Sequence, residues 1–129
     1  IGAVGATYSQ NVKALDAYYD ALDRNELPVA RGVRLGMDDV LRRTVIQKLM
    51  CQFELSISTI EQAFPVVFRQ YFAAELARLA ALEEDGLVVV NGDWISVTTK
   101  GRLLIRNVCM VFDRYLATRS AEPRYSKTV

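Results

Sequence analysis

Histidine is absent from this 129-residue chain. That removes the commonest general base, the Ser-His and Cys-His nucleophile systems, and most zinc sites. Cysteine is scarce: Cys51 and Cys109 are the only two, and each falls on an apolar helical face. Two buried free thiols are expected there, rather than a disulfide or a metal pair. An excess of charge is lacking too. With 16 basic and 15 acidic residues the formal charge is +1, so no overall field draws the chain to nucleic acid or an anionic membrane. No apolar run approaches the ~20 residues that span a bilayer, and no signal peptide is visible. Acids and bases do not cluster and no nucleophile motif occurs. No catalytic residue and no metal ligand is therefore assigned.

What is present is ordinary for a soluble globular chain: 51% hydrophobic and 24% charged residues, enough for one domain with a core of its own. The first residue is not Met, and the opening IGAVGA is apolar and glycine-spaced, which reads as a cut inside a longer polypeptide. Its glycines suit a buried strand end or tight loop belonging to a missing neighbour. Ser9 is placed to cap a first helix with Val12, Leu15, Tyr18, Tyr19 and Leu22 as its stripe, ended before Pro28. An extended link carrying Arg31 and Arg34 follows. Asp38 and Asp39 then open a second helix that buries Val40, Leu41, Val45, Ile46, Leu49, Met50 and Phe53. Arg42 and Arg43 lie four residues after the two acids, as in exposed helix ion pairs.

The run Ser58-Thr59-Ile60-Glu61 is a capping box for a short third helix, which must yield near Pro65. A fourth helix runs from there to Gly86 with Val67, Phe68, Phe72, Leu76, Leu79 and Leu82 inward. Residues 87–90 and 94–98 flank Asn91-Gly92, a strong hairpin signal. Thr98 or Thr99 caps the last helix, 100–116, which reads as one uninterrupted buried element through Leu104, Val108, Val111, Phe112 and Tyr115. Lys100, Arg102 and Arg106 crowd its positive pole, where each charge typically costs about 0.3–1 kcal/mol, so an anionic partner is expected. The tail ATRSAEPRYSKTV has little apolar content.

The fold class that follows is mainly α: a winged-helix-like helical domain with one β-hairpin. Winged helices commonly bind DNA. The helix in the recognition position, however, offers Arg69 and Arg78 against Glu75, Glu83, Glu84 and Asp85, and the wing adds Asp93 and no base. Phosphate neutralisation needs the reverse balance. A nucleic-acid-binding or protein-interaction module stays as the alternative function.

Three stretches, VGATYSQN near the start, LRRTVIQKLMCQFELS and above all TTKGRLLIRNVCMVFDRYL, resemble the C-terminal region of the oxygen-independent coproporphyrinogen III oxidase family. The similarity runs through the whole chain, and it implies a part of a radical S-adenosylmethionine enzyme. Such enzymes hold a [4Fe-4S] cluster and S-adenosyl-L-methionine in an α/β barrel, whose mouth a C-terminal domain helps to cover. The reaction implied is oxidative decarboxylation of two propionates of coproporphyrinogen III, giving protoporphyrinogen IX in haem biosynthesis. A cytoplasmic monomer is implied, whose partners are its own N-terminal barrel and the substrate, with neither nucleic acid nor membrane. The family's CxxxCxxC cluster motif is missing here, so this segment by itself is expected to hold no iron and to be inactive.

Within that resemblance, residues 1–36 correspond to the end of the barrel, a first helix and a linker. Residues 37–118 form the winged-helix-like domain, and 119–129 the basic tail. Ile1 falls where the family's last barrel segment makes an apolar contact to S-adenosylmethionine, though an ordinary barrel-core isoleucine would look the same. Arg102 and Arg106, four apart on one helical face, are the substrate-binding candidates, because the substrate carries four propionates and guanidinium groups suit carboxylates. Pairing with acids of the domain or the barrel is the competing role. Whether the parent is an oxidase or a haem-handling relative stays open.

Overall fold

A computed structural model describes residues 2–118, which leaves Ile1 and the tail 119–129 outside the described residues. The chain divides into two compact units after Val40. Both units mix helix and strand, where the sequence led to a mostly helical chain with a single hairpin. The difference lies in the first forty residues and in one short strand.

In the first unit the extended segments are strands of one sheet. The opening glycine-spaced stretch folds as a hairpin, β1 (Gly2–Val4) and β2 (Thr7–Asn11), with Val4 opposite Thr7. Gly5 takes φ +55° in its two-residue turn, a value that favours glycine. After α1 (Leu15–Asp23) the expected link becomes β3 (Val29–Arg34), antiparallel to β2. Ser9 therefore caps nothing: it lies in β2, opposite Gly2 and Gly32, and α1 begins six residues later behind Ala14. The expected apolar stripe is not buried either, since Leu15, Tyr19 and Leu22 are exposed. Alternation in TYSQNV satisfies a strand as well as a helix start, and strand pairing decides it.

The second unit carries the core. Helix α2 (Met37–Gln52) turns Leu41, Val45 and Leu49 fully inward at four-residue steps. Cys51 lies about 200° around the axis from Leu49 and is exposed, contrary to expectation. Strand β4 (Glu54–Ser56) follows, then α3 (Ile57–Ala63). Ser56, not Ser58, is the cap: its hydroxyl accepts from the Thr59 amide at 3.2 Å. Glu61 reaches forward to the Phe68 amide at 2.7 Å and so starts α4 (Phe68–Tyr71). The predicted fourth helix is thus two, α4 and α5 (Ala73–Glu84), with Phe72 between them at non-helical angles.

Strands β5 (Val88–Asn91) and β6 (Trp94–Val97) pair as predicted, with the turn one residue later, at Gly92-Asp93. Gly92 takes φ +56° there, whereas Asn91 stays in the ladder opposite Trp94. Strand β4 joins the other edge of β6, so the sheet order is β4-β6-β5. Asp93 locks this turn to α3. Its carboxylate accepts from the Ser56 hydroxyl at 2.7 Å and from the Ser58 amide at 2.7 Å, and these bonds, Ser56 first, favour the charged form and hold its pKa below the usual carboxylate range.

The terminal helix is the largest correction. It divides into α6 (Thr99–Leu103), α7 (Ile105–Met110) and α8 (Arg114–Thr118). Three-residue hydrogen bonds, Leu104 N to Gly101 O and Phe112 N to Cys109 O, tighten the chain at the two breaks. An apolar pattern stepping by three and four is met by such turns as well as by a continuous helix. Among the described residues of 99–116, only Gly101, Val108, Cys109 and Phe112 are buried positions, while Leu104, Tyr115 and Leu116 are exposed.

Candidate functional site

The break at Leu104 separates the two predicted substrate-binding residues. Arg102 lies in the last turn of α6 and Arg106 in the first turn of α7, so they do not share one helix face as expected. It also changes the charge argument. Lys100 and Arg102 fall in the last turn of a five-residue helix, near its negative pole, and Lys100 Nζ donates to the Asp85 carbonyl at 2.7 Å. Arg106 alone stays in a first turn.

Helix α6 is held by the hairpin. Thr98 Oγ1 accepts from the Gly101 amide at 3.0 Å and donates to the Gly86 carbonyl at 2.7 Å. Gly101 packs so closely on the Leu87 carbonyl that no side chain fits between them. This docking carries Arg102 over the ring of Phe53, with Cζ 4.6 Å from the centroid. The guanidinium is exposed and has no acidic partner among the described residues. Arg106 has none either. It rims a shallow groove of about 390 Å³ lined by Ile46, Met50, Cys109, Met110 and Asp113. Among the described residues, both arginines thus present cationic groups without an acidic partner, one over an aromatic ring and one beside a mostly apolar groove. Such groups suit carboxylates, Arg102 as a fork and Arg106 as an anchor for an amphipathic acid.

Two features escape a reading of the sequence. Spacing makes Phe53 the end of a helical stripe, but it lies just past α2 with φ +60° and stacks with Arg102. Spacing likewise places Arg42 on an exposed helix face, but its side chain is largely covered, and Nη1 reaches Glu75 Oε1 at 2.8 Å and the Phe112 carbonyl at 3.1 Å. The guanidinium also covers the Phe72 ring at 5.2 Å. No local spacing could reveal a contact that joins α2 to residues 33 and 70 positions away.

The described residues gather no group of three His, Cys, Asp or Glu side chains placed to hold a metal. The two cysteines differ sharply: Cys109 is buried with its Sγ 3.8 Å from the Ile46 carbonyl, and Cys51 is exposed. Burial first, and then the neighbouring Cys51, push the Cys109 thiol up to about 11. Iodoacetamide at neutral pH should therefore add one label, on Cys51, and a second only in denaturant. Peptide mass spectrometry checks this, and equal native labelling of both thiols would contradict the packing of α7 on α2.

The family described as HemN C-terminal domain matches residues 36–104. The chain is 47% identical over 126 residues to the oxygen-independent coproporphyrinogen III oxidase of Synechocystis sp., covering 95% of this chain and 27% of that protein. Against the Escherichia coli enzyme of the same name it is 43% identical over 129 residues, 100% of this chain and 28% of that one. A solved structure of Escherichia coli coproporphyrinogen III oxidase (HemN), described as a radical SAM enzyme, matches with a TM-score of 0.81 and 49% identity. That match covers 87% of this chain and 26% of the other. The chain spans just over a quarter of the length of these two curated relatives.

Proposed function

The chain belongs to the HemN C-terminal domain family, and on that premise we propose that it is the C-terminal portion of an oxygen-independent coproporphyrinogen III oxidase. The observation that carries this is similarity along its entire length, together with a close structural match to the same region of one such enzyme. The whole enzyme converts two propionates of coproporphyrinogen III to vinyl groups, each losing carbon dioxide, a proton and two electrons. Residues 37–118 are read as winged-helix-like: α2, α3 and α5, followed by the hairpin β5–β6 with β4 completing the sheet. This portion covers the mouth of a catalytic barrel supplied by the rest of the polypeptide. Residues 1–36 end the barrel and link to it, and 119–129 form a basic tail.

The residues present do not fit the cluster. With two cysteines in all, one buried under α2, they cannot supply three thiolates, so the cluster and the main adenosylmethionine-binding segment belong to the rest of the polypeptide. Ile1 alone is assigned a cofactor contact, an apolar one to adenosylmethionine. The role left for this chain is recognition, with Arg102 and Arg106 facing the substrate's carboxylates. No helix among the described residues is long and apolar enough to cross a membrane. A cytoplasmic monomer that binds no nucleic acid completes the reading.

Anaerobic turnover of the full-length protein tests it. Arg102→Ala should raise KM for coproporphyrinogen III roughly 10- to 100-fold, the loss of one charge-assisted pair. Unchanged kinetics with a lowered melting temperature would make Arg102 a structural residue only.

A further inference from the structure

We infer that Phe53 is a positioning residue, which holds the Arg102 guanidinium over its ring so that the N–H edges are free for a carboxylate. This rests on the substrate role proposed above for Arg102. Three observations converge on it. The first is backbone conformation. Phe53 takes φ +60°, a region that bulky side chains rarely adopt and glycine adopts freely. Glycine would fill the position without strain, so what phenylalanine adds is its ring.

The second is that neither end of the contact can drift. The Phe53 amide donates to the Leu49 carbonyl at 3.1 Å, closing α2, and its carbonyl accepts from the Val97 amide at 2.8 Å, continuing the sheet. Across from it, the Arg102 amide donates to the Thr98 carbonyl at 2.9 Å, and Gly101 beside it is pressed on Leu87. Ring and cation are each fixed to the same hairpin.

The third is what the cation lacks. Arg102 is exposed and without an acidic partner among the described residues, yet its Cζ stays 4.6 Å from the ring centroid. A guanidinium over a ring face is attracted to it without spending a hydrogen-bond donor. The forked pair with a planar anion is still to be made. Preorganising such a group lowers the entropy lost on binding, so the effect should appear in substrate affinity and not in the chemical step.

The ligand chemistry is a carboxylate, and it has two sources: a propionate of the substrate, or an acid elsewhere in the same polypeptide. The experiment measures KM and kcat for coproporphyrinogen III under anaerobic conditions, beside the thermal midpoint. It uses the full-length protein carrying Phe53→Leu, Phe53→Tyr, Arg102→Ala and the Leu/Ala double variant. Phe53→Leu should raise KM about fivefold at nearly constant kcat, Phe53→Tyr should stay near wild type, and Leu should add nothing on top of Arg102→Ala.

If Arg102→Ala raises KM but Phe53→Leu does not, or if Leu and Tyr behave alike, the positioning role is overturned and the substrate site stands. The positioning role also falls if Phe53→Leu adds its full factor in the Arg102→Ala background. If Arg102→Ala leaves KM unchanged, the substrate site itself fails and this inference with it. A parallel fall in thermal midpoint for Phe53→Leu and Arg102→Ala, with KM untouched, assigns the carboxylate to the polypeptide and overturns the inference as stated.

Discussion

Gly101→Ala is expected to destabilise the fold by about 3 kcal/mol or more, at the upper end of what overpacking costs. A Cβ at this position would overlap the Leu87 carbonyl oxygen outright and lie 2.8 Å from its carbon and 2.9 Å from Val97 Cγ1. Intrinsic propensity works the other way, since alanine is favoured over glycine in a helix by roughly 1 kcal/mol. The steric term wins because the nearest atoms are backbone. Leu87 O also accepts from the Thr98 amide at 3.0 Å, so it cannot retreat without opening the junction of hairpin and helix. Urea unfolding would show the loss. Gly86→Ala is the informative control, because Gly86 has φ +71° but nothing within 4 Å of its Cβ. It should cost only about 1–2 kcal/mol, from left-handed strain alone. Equal effects at the two glycines would mean that close packing at Gly101 is not what restricts the position.

Glu75→Leu should cost about 3 kcal/mol, the lower end for breaking a buried ion pair. The Arg42–Glu75 pair is 15% and 9% exposed by side chain, which puts it well beyond a surface bridge but short of full desolvation. Arg42 keeps the Phe112 carbonyl and the Phe72 ring when the carboxylate is lost, and this too limits the damage. Arg78, 3.6 Å from the same oxygen and 47% exposed, loses little. The double variant Arg42→Met/Glu75→Leu should recover most of the stability, since the largely covered guanidinium is then removed together with the carboxylate it bonds. Thermal melts of the two singles and the double would give the coupling energy. Additive losses would show that the pair is worth no more than its separate side chains.

Local chemistry was readable wherever a signal and its effect lie within a few residues. Leu41, Val45 and Leu49 repeat at four, Gly86 stops a helix, and Asn-Gly marks a hairpin; each needs only neighbours in sequence. The absence of histidine and of a third cysteine likewise fixed what chemistry this chain cannot do alone, because ligands cannot be supplied by folding. Motif likeness went furthest, since a long shared run such as KGRLLIRNVCMVFD carries more information than periodicity.

Tertiary structure decided what depends on partners distant in sequence. Ser9 became a strand residue because Gly2 and Gly32 pair with it, and the capping role passed from Ser58 to Ser56 where β4 meets β6. The run 100–116 reads as one helix by spacing, yet i to i+3 turns at Leu104 and Phe112 satisfy the same spacing. Periodicity cannot tell three from four when both occur. Arg42 and Arg102 carry the same lesson in charge. Their near neighbours in sequence suggested an exposed pair and a crowded helix pole, and neither hint contains the contacts the fold adds, Arg42 with Glu75 and Arg102 with Phe53. Long flexible cations reach about as far as the next layer of structure, so their partners are set by how elements pack, and no pattern along the chain records that.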